Sequence, residues 1–328
     1  MKALVFDKAY ISCCAAVGGA LEKRGPLGNM FDITAEDSYF GTGSWEQAES
    51  EMSRLSVNML LKKASLAEKD IDVLLGGDLL NQCTATGFAA NSLPVPYLGL
   101  YNACATAAEA LLLGASLVSG GHAEKAVAAV SSHFCSSERQ FRFPLEYGSQ
   151  RPPYSQNTVT GAGAFLLERS GSVRVTRALI GKVTEKGVTD ANNMGAAMAP
   201  AAAQTLTDFL ELTGERMENY DAVVTGDLGR EGSALLAKLL ESGGVASADA
   251  LDDCGLIVYG PECRGVNAGG SGCGCSACVL ATYFWQKLCK KEIRRMLFVG
   301  TGALLSPRTV MQKQVIPCIA HLVELESI

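Results

Sequence analysis

No stretch of the 328 residues reaches the roughly 18 consecutive apolar side chains that a membrane-spanning helix needs. The opening segment, MKALVFDKAYISCCAAVGGA, also lacks the long uninterrupted apolar core of an export signal. Both absences point to an intracellular protein that would act at a membrane only as a peripheral partner. Positive charge is scarce as well: 28 Lys and Arg stand against 34 Asp and Glu, a formal net charge of −6. With no basic stripe to neutralise phosphates, nucleic acid is not an expected partner. Lys287, Lys290, Lys291, Arg294 and Arg295 do gather, and read as the solvated end of a helix rather than a lipid-headgroup patch. Histidine is rare, with His122, His133 and His321 the only three. Hydrophobic residues make up 48% and charged residues 19%, which excludes a disordered chain and suits two α/β halves.

Twelve cysteines are present. In a chain with a large core and no export signal they read as reduced, buried small hydrophobes rather than a disulfide framework. Cys273, Cys275 and Cys278 imitate a zinc knuckle, but a second pair would have to come from Cys254 or Cys263, so no metal site is expected.

An internal repeat organises the chain. Ile71-Asp-Val-Leu-Leu-Gly-Gly-Asp78-Leu79 recurs as Tyr220-Asp-Ala-Val-Val-Thr-Gly-Asp227-Leu228. Each copy is a short aliphatic run ending in Gly-Asp-Leu, the pattern of a buried strand leaving through a tight turn. A helix precedes each: one capped by Ser44, with Gln47 at the capping-box position, and one over Ala201–Leu212 after Pro200. Strands are expected at Pro96–Asn102, Ala126–Val130 and Gly161–Leu167 in the first half, and at Cys254–Tyr259 and Met296–Val299 in the second. Ala/Leu-rich helices are expected from Ala105 to Val118 and from the loop Gly269–Ser276 to about Lys290. The seam falls at Ser170-Gly171-Ser172, giving halves 1–170 and 171–328. Alternation of this kind makes mixed or mostly parallel sheets covered by helices, an α/β architecture.

Several segments together resemble the stage V sporulation protein AD family of the thiolase-like superfamily. They are Gly25–Gly28, Gly77–Gln82, Ser131–His133, Glu138–Arg142, Glu146–Gly148, Met198–Ala203, Gly269–Ala277 and Thr301–Pro307, in order across nearly the whole chain. The resemblance implies a layered αβαβα thiolase-like fold of two duplicated halves. It implies a role in moving dipicolinic acid (pyridine-2,6-dicarboxylate) into the forming bacterial spore. The partners it implies are other stage V sporulation A-operon proteins at the inner forespore membrane, and a homodimer is the superfamily habit. The first strand lies closer to residue 1 than the resemblance implies.

Cys104 sits between a strand and a helix start, which would expose its thiol and aim it at the positive helix end, lowering its pKa. It matches the position of the acyl-accepting cysteine in thiolases and ketoacyl synthases, although such a cysteine taken alone is more often buried and structural. Related synthases pair this cysteine with a histidine from the second-half strand end and an Asn or His from the following loop. Here those places read Thr225-Gly226-Asp227 and Gly270-Ser271-Gly272, and His133 lies in the wrong half. The arrangement therefore points to recognition of a small acidic molecule without catalysis. Ser131, Ser132, Ser271, His133 and the Cys104 helix start supply donors. Asp78 and Asp227 either form turns, orient those donors, or accept calcium arriving with the ligand; no other cofactor is expected. An acyltransferase using Cys104 and a membrane-partner scaffold are the competing readings.

Overall fold

The computed structural model describes residues 2–141, 151–245, 251–263 and 265–328. The aliphatic runs form strands β1 (Tyr10–Gly18), β2 (Val73–Gly77), β3 (Tyr97–Leu100), β4 (Lys125–Ser132) and β5 (Gly161–Glu168) in the first half. The second half has β6 (Val173–Leu179), β7 (Ala222–Thr225), β8 (Leu251–Asp253), β9 (Arg295–Ala303) and β10 (Cys318–Ser327). Both halves share one strand order from the centre outward: β1-β5-β4-β2-β3 in one and β6-β10-β9-β7-β8 in the other. Pairing senses repeat too. The two innermost pairings of each half are antiparallel and the two outermost are parallel. The halves meet where β1 pairs β6 at Tyr10↔Arg174 and Ile11↔Val173.

The helices fall into three layers. Helices α1 (Trp45–Ala64) and α2 (Thr84–Asn91) cover the outer face of the first half, where Val57, Leu60 and Leu61 pack with Leu74, Val127 and Leu166. Between the sheets lie α3 (Thr106–Ser119) and a helix we call α7, which runs from Cys273 through a π-turn at Leu280–Phe284 to Cys289. Its neighbours in the chain are α4 (Phe134–Phe141), α5 (Met194–Thr213), α6 (Gly229–Ser242) and, last, α8 (Pro307–Met311). Helices α5 and α6 cover the outer face of the second half, packing Leu206, Phe209 and Leu236 on Val223, Leu297 and Leu322. This is the αβαβα arrangement of two duplicated halves. Its central layer is small and apolar: Ala107, Ala108, Ala110 and Ala115 of α3 let both sheets approach closely.

Helix α1 begins where the capping residues predicted: Ser44 Oγ accepts from Gln47 N at 3.3 Å, while the Gln47 side chain accepts from Gly43 N rather than Ser44 N. Two expectations need correction. The run Cys254–Tyr259, strand-like in composition, is instead a one-turn helix over Cys254–Ile257, and the strand is the preceding β8. The cause is Asp253, whose carboxylate caps the turn by accepting from Leu256 N at 3.2 Å. Helix α5 starts at Met194, so Pro200 lies inside it rather than at its first turn. The alanines around Pro200 carry enough helix propensity to hold the helix across one missing N–H. Arg142 and Glu146–Gly148 lie outside the described residues.

Candidate functional site

The two copies of the Gly-Asp-Leu repeat leave β2 and β7 at the same end of their sheets, and both aspartates are fully buried. Their bonds differ. Asp78 stays within its own half: Oδ1 accepts from Leu80 N at 2.8 Å, and Oδ2 accepts from Thr86 N and Thr86 Oγ1, each at 2.8 Å. It ties the turn to α2. In the second half that task falls to Asp253, which accepts from Leu228 N at 2.7 Å, Gly229 N at 3.0 Å and Thr225 Oγ1 at 2.7 Å. Asp227 is thereby released to face the middle of the molecule. Its Oδ2 accepts from Ser271 Oγ at 3.0 Å and Gly272 N at 2.8 Å, and its Oδ1 from Thr301 Oγ1 at 2.8 Å.

Cys104 completes this cluster. Ala103, at φ 50°, turns the chain sharply between β3 and α3 and delivers the thiol to the second half. Sγ lies 4.0 Å from Ser271 Oγ and beside the Asp227 carboxylate. The expected exposure is not found, since Cys104 is 6% accessible. Its pKa moves up rather than down. Burial is the largest cause, followed by the Asp227 charge and by Cys273, and these outweigh the helix start. Asp227 itself is pushed up to about 7, chiefly by burial and also by the Asp253 charge, against the pull of its donors.

Ser131, Ser132 and His133 do not join the cluster through their side chains. Ser131 Oγ donates to Glu49 Oε1 at 3.3 Å, and Ser132 Oγ donates to the Val159 carbonyl at 2.7 Å. His133 is spent on the backbone: Nε2–H donates to the Ser38 carbonyl at 2.9 Å, while Nδ1 accepts from Cys135 N and Ser136 N at the start of α4. Burial lowers its pKa to about 4, so it is neutral at pH 7. These residues nonetheless border the site. Cys273 Sγ donates to the Ser131 carbonyl at 3.0 Å, and a Cβ on Gly272, which adopts φ 105°, would stand 2.6 Å from Ser132 Oγ. The zinc-like thiols point to separate carbonyls, those of Ser131, Gly226 and Val17.

Sequence reasoning missed Thr301, Glu49 and His321. Thr301 stood out only as the first residue of a segment that carries the resemblance, with no role attached to it. Glu49, on the buried face of α1, accepts from Ser136 Oγ at 2.6 Å, and burial and the Asp78 charge push its carboxyl well above the usual range. His321, on β10, places Nε2 2.7 Å from the side-chain amide of Asn102, two residues before Cys104. Its Nδ1 accepts from Gly181 N at 3.2 Å, so Nε2 carries the proton and Asn102 presents its oxygen. Neither buried histidine keeps a free lone pair with which to take a proton from Cys104.

The chain matches the family model described as stage V sporulation protein AD over residues 2–326. It is 42% identical over 318 residues to the stage V sporulation protein AD of Bacillus subtilis (strain 168), covering 97% of this chain and 94% of that one. Among solved structures it resembles the 3-oxoacyl-(acyl carrier protein) synthase III of Xanthomonas oryzae, with a TM-score of 0.63, 15% identity, and coverage of 98% and 100%. It also resembles the cerulenin-bound OleA of Xanthomonas campestris, with a TM-score of 0.62, 14% identity and 98% of each chain. At such identities these two structures speak for a thiolase-like fold alone. The long match to the family model and to the Bacillus relative goes further: this chain is a member of the stage V sporulation protein AD family.

Proposed function

We propose that the protein binds pyridine-2,6-dicarboxylate without transforming it, as a calcium chelate, and serves its uptake into the developing spore. The non-catalytic part rests on one observation. Where a condensing enzyme needs a base beside the cysteine, this chain has the Asp227 carboxylate, already engaged by Ser271, Gly272 and Thr301. Burial, and then a carboxylate so placed, raise the thiol pKa and keep Cys104 protonated, the reverse of what a nucleophile requires. The choice of ligand follows the family. Calcium is proposed on charge: Asp78 and Asp227 are buried around the site, and where they are ionised a bare dianion would be repelled unless a proton or a divalent cation came with it.

The contacts proposed are Ser271 and the amides of the Gly269–Gly272 loop toward the carboxylates, with Cys104 against the ring; Ser271 and Gly272 N would turn to the ligand from Asp227, which holds them in place until it enters. Ser131, Ser132, His133 and Asp78 would then shape the pocket wall. Cys104, Ser271, Asp227 and Thr301 are each 6% exposed or less, so the ligand must displace part of their cover to enter. The proposed setting is the forespore, with the protein peripheral to its inner membrane and in contact with other products of the same operon. Among the described residues no helix is long and apolar enough to cross a membrane. A homodimer is proposed through the edge strand β3, where Leu98 and the nearby Tyr101 and Phe88 are exposed.

Calorimetric titration with dipicolinate, with and without calcium, tests the reading. Saturable binding at least about tenfold tighter with calcium is expected, and pyridine-2-carboxylate should bind far more weakly because half of the anion contacts vanish. Absence of binding, or sustained turnover of an acyl-CoA that disappears in Cys104→Ala, would overturn it.

A further inference from the structure

The end of the sheet that carries the candidate site also carries an apolar patch the site does not use. Two segments lie side by side there. One follows β6 and the other joins β9 to β10, and they are tied by Thr184↔Cys318 pairing and by Ile316 N donating to the Val188 carbonyl at 2.8 Å. From them Ile180, Val183, Met311 and Val315 protrude, at 52%, 59%, 75% and 42% exposure. Four large aliphatic side chains turned to water on one edge are not explained by packing.

Charge on this edge is opposite in sign to that of the chain as a whole. In a protein of formal charge −6, residues 180–188 and 304–315 hold four cations and one anion, Glu185. Lys182 faces Asp208 at 3.1 Å, but Lys186, Arg308 and Lys313 are exposed and make no ion pair among the described residues. At the opposite end of β9 the larger basic cluster is ion-paired at Arg295, which bonds Glu215 and Glu324, while Lys290, Lys291 and Arg294 make no ion pair among the described residues. Separate protruding side chains on loops and on the short α8, rather than a groove, suit insertion among lipid headgroups better than capture of a peptide segment. Unpaired cations beside them suit anionic phosphates.

We infer that this edge docks the protein on an anionic lipid bilayer, with Met311, Val183, Ile180 and Val315 entering the headgroup region and Arg308, Lys313 and Lys186 meeting lipid phosphates. The inference deepens the proposed peripheral membrane role and rests on it. It also orients the molecule. Thr301, which bonds Asp227, lies just before α8 in the chain, and Gly181 N donates to His321, the partner of Asn102. Docking here turns the end of the sheet that holds Cys104 toward the membrane.

Flotation of the purified chain with phosphatidylcholine vesicles, with and without about a third phosphatidylglycerol, tests it. The wild type should float with the anionic vesicles, less so at high salt, and scarcely with neutral ones. Arg308→Glu with Lys313→Glu should weaken this by at least about 25-fold, roughly fivefold for each cation removed. Met311→Asp with Val183→Asp should abolish it, with melting temperatures unchanged because all four positions are exposed. A wild type that stays off anionic vesicles would leave the patch to a protein partner and overturn the inference, as would variants that float like the wild type or equal binding to neutral vesicles. Dipicolinate titration of the same variants in solution separates the two proposals: unchanged ligand affinity with lost flotation supports this surface, and absent ligand binding with normal flotation removes only the ligand assignment.

Discussion

Replacing Asp227 by Asn removes one charge from the buried cluster while keeping its shape, and the consequence depends on pH. The Asp227 carboxyl titrates at about 7 in the fold against an ordinary value of 3.8. Between those values the folded protein holds a proton that the unfolded chain has released. Stability therefore falls as pH rises from about 4 to about 7, and the deficit persists above that. At about 1.4 kcal/mol per pH unit the full penalty is about 4 kcal/mol. The Asn variant escapes this penalty. Its amide oxygen can accept from Gly272 N and Ser271 Oγ, and its NH2 can donate to Thr301 Oγ1, a hydroxyl able to reverse its role. Loss of charge-assisted bonds offsets part of the gain, leaving the variant about 2 kcal/mol more stable than the wild type at pH 8 and less stable near pH 4. Urea unfolding of both proteins across that range measures the difference. Glu22, Glu49, Asp78 and Asp253 are also raised by burial, but they remain in both proteins, so the difference isolates Asp227. A difference that does not vary with pH, or one that grows toward acid in the variant's favour, would refute the reasoning.

Two further outcomes follow from other parts of the molecule. Gly272→Ala should destabilise the protein by about 2–4 kcal/mol, seen as a fall of several degrees in melting temperature, because its φ of 105° disfavours any side chain and the new Cβ would meet Ser132 Oγ at 2.6 Å. Leu98→Lys, placed on the β3 edge, should convert a dimer into monomer by light scattering with little change in melting temperature; an unchanged mass would locate the interface elsewhere.

The fold was legible largely because burial leaves a pattern. The repeated aliphatic runs ending in Gly-Asp-Leu became β2 and β7, and the Ala-rich segment after Cys104 became the thin central helix α3. What misled were places where one side chain overrides local composition. Ile257-Val258-Tyr259 suggests a strand, but the Asp253 cap winds the chain first. Cys104 lies at the expected strand-to-helix turn, yet its environment comes from residues more than a hundred positions away, Asp227 and Ser271. No local signal reports that burial, so the direction of its pKa could not be read. Ser131, Ser132 and His133 were grouped by adjacency in the chain, whereas alternation along β4 and the start of α4 send their side chains to three different partners. His321 lies close to the C-terminus with no local signal of its place, and only antiparallel pairing returns it to Gly300 beside the central layer.

The most direct measurement of the central claim is a crystal structure grown with dipicolinate and calcium. The account predicts a planar dianion seated at the end of the sheets, within hydrogen-bond reach of Ser271 and the Gly269–Gly272 amides, with an unmodified Cys104 thiol against its ring. A ligand bound elsewhere at saturating concentration, or a Cys104 carrying an acyl group retained from the cell, would contradict it.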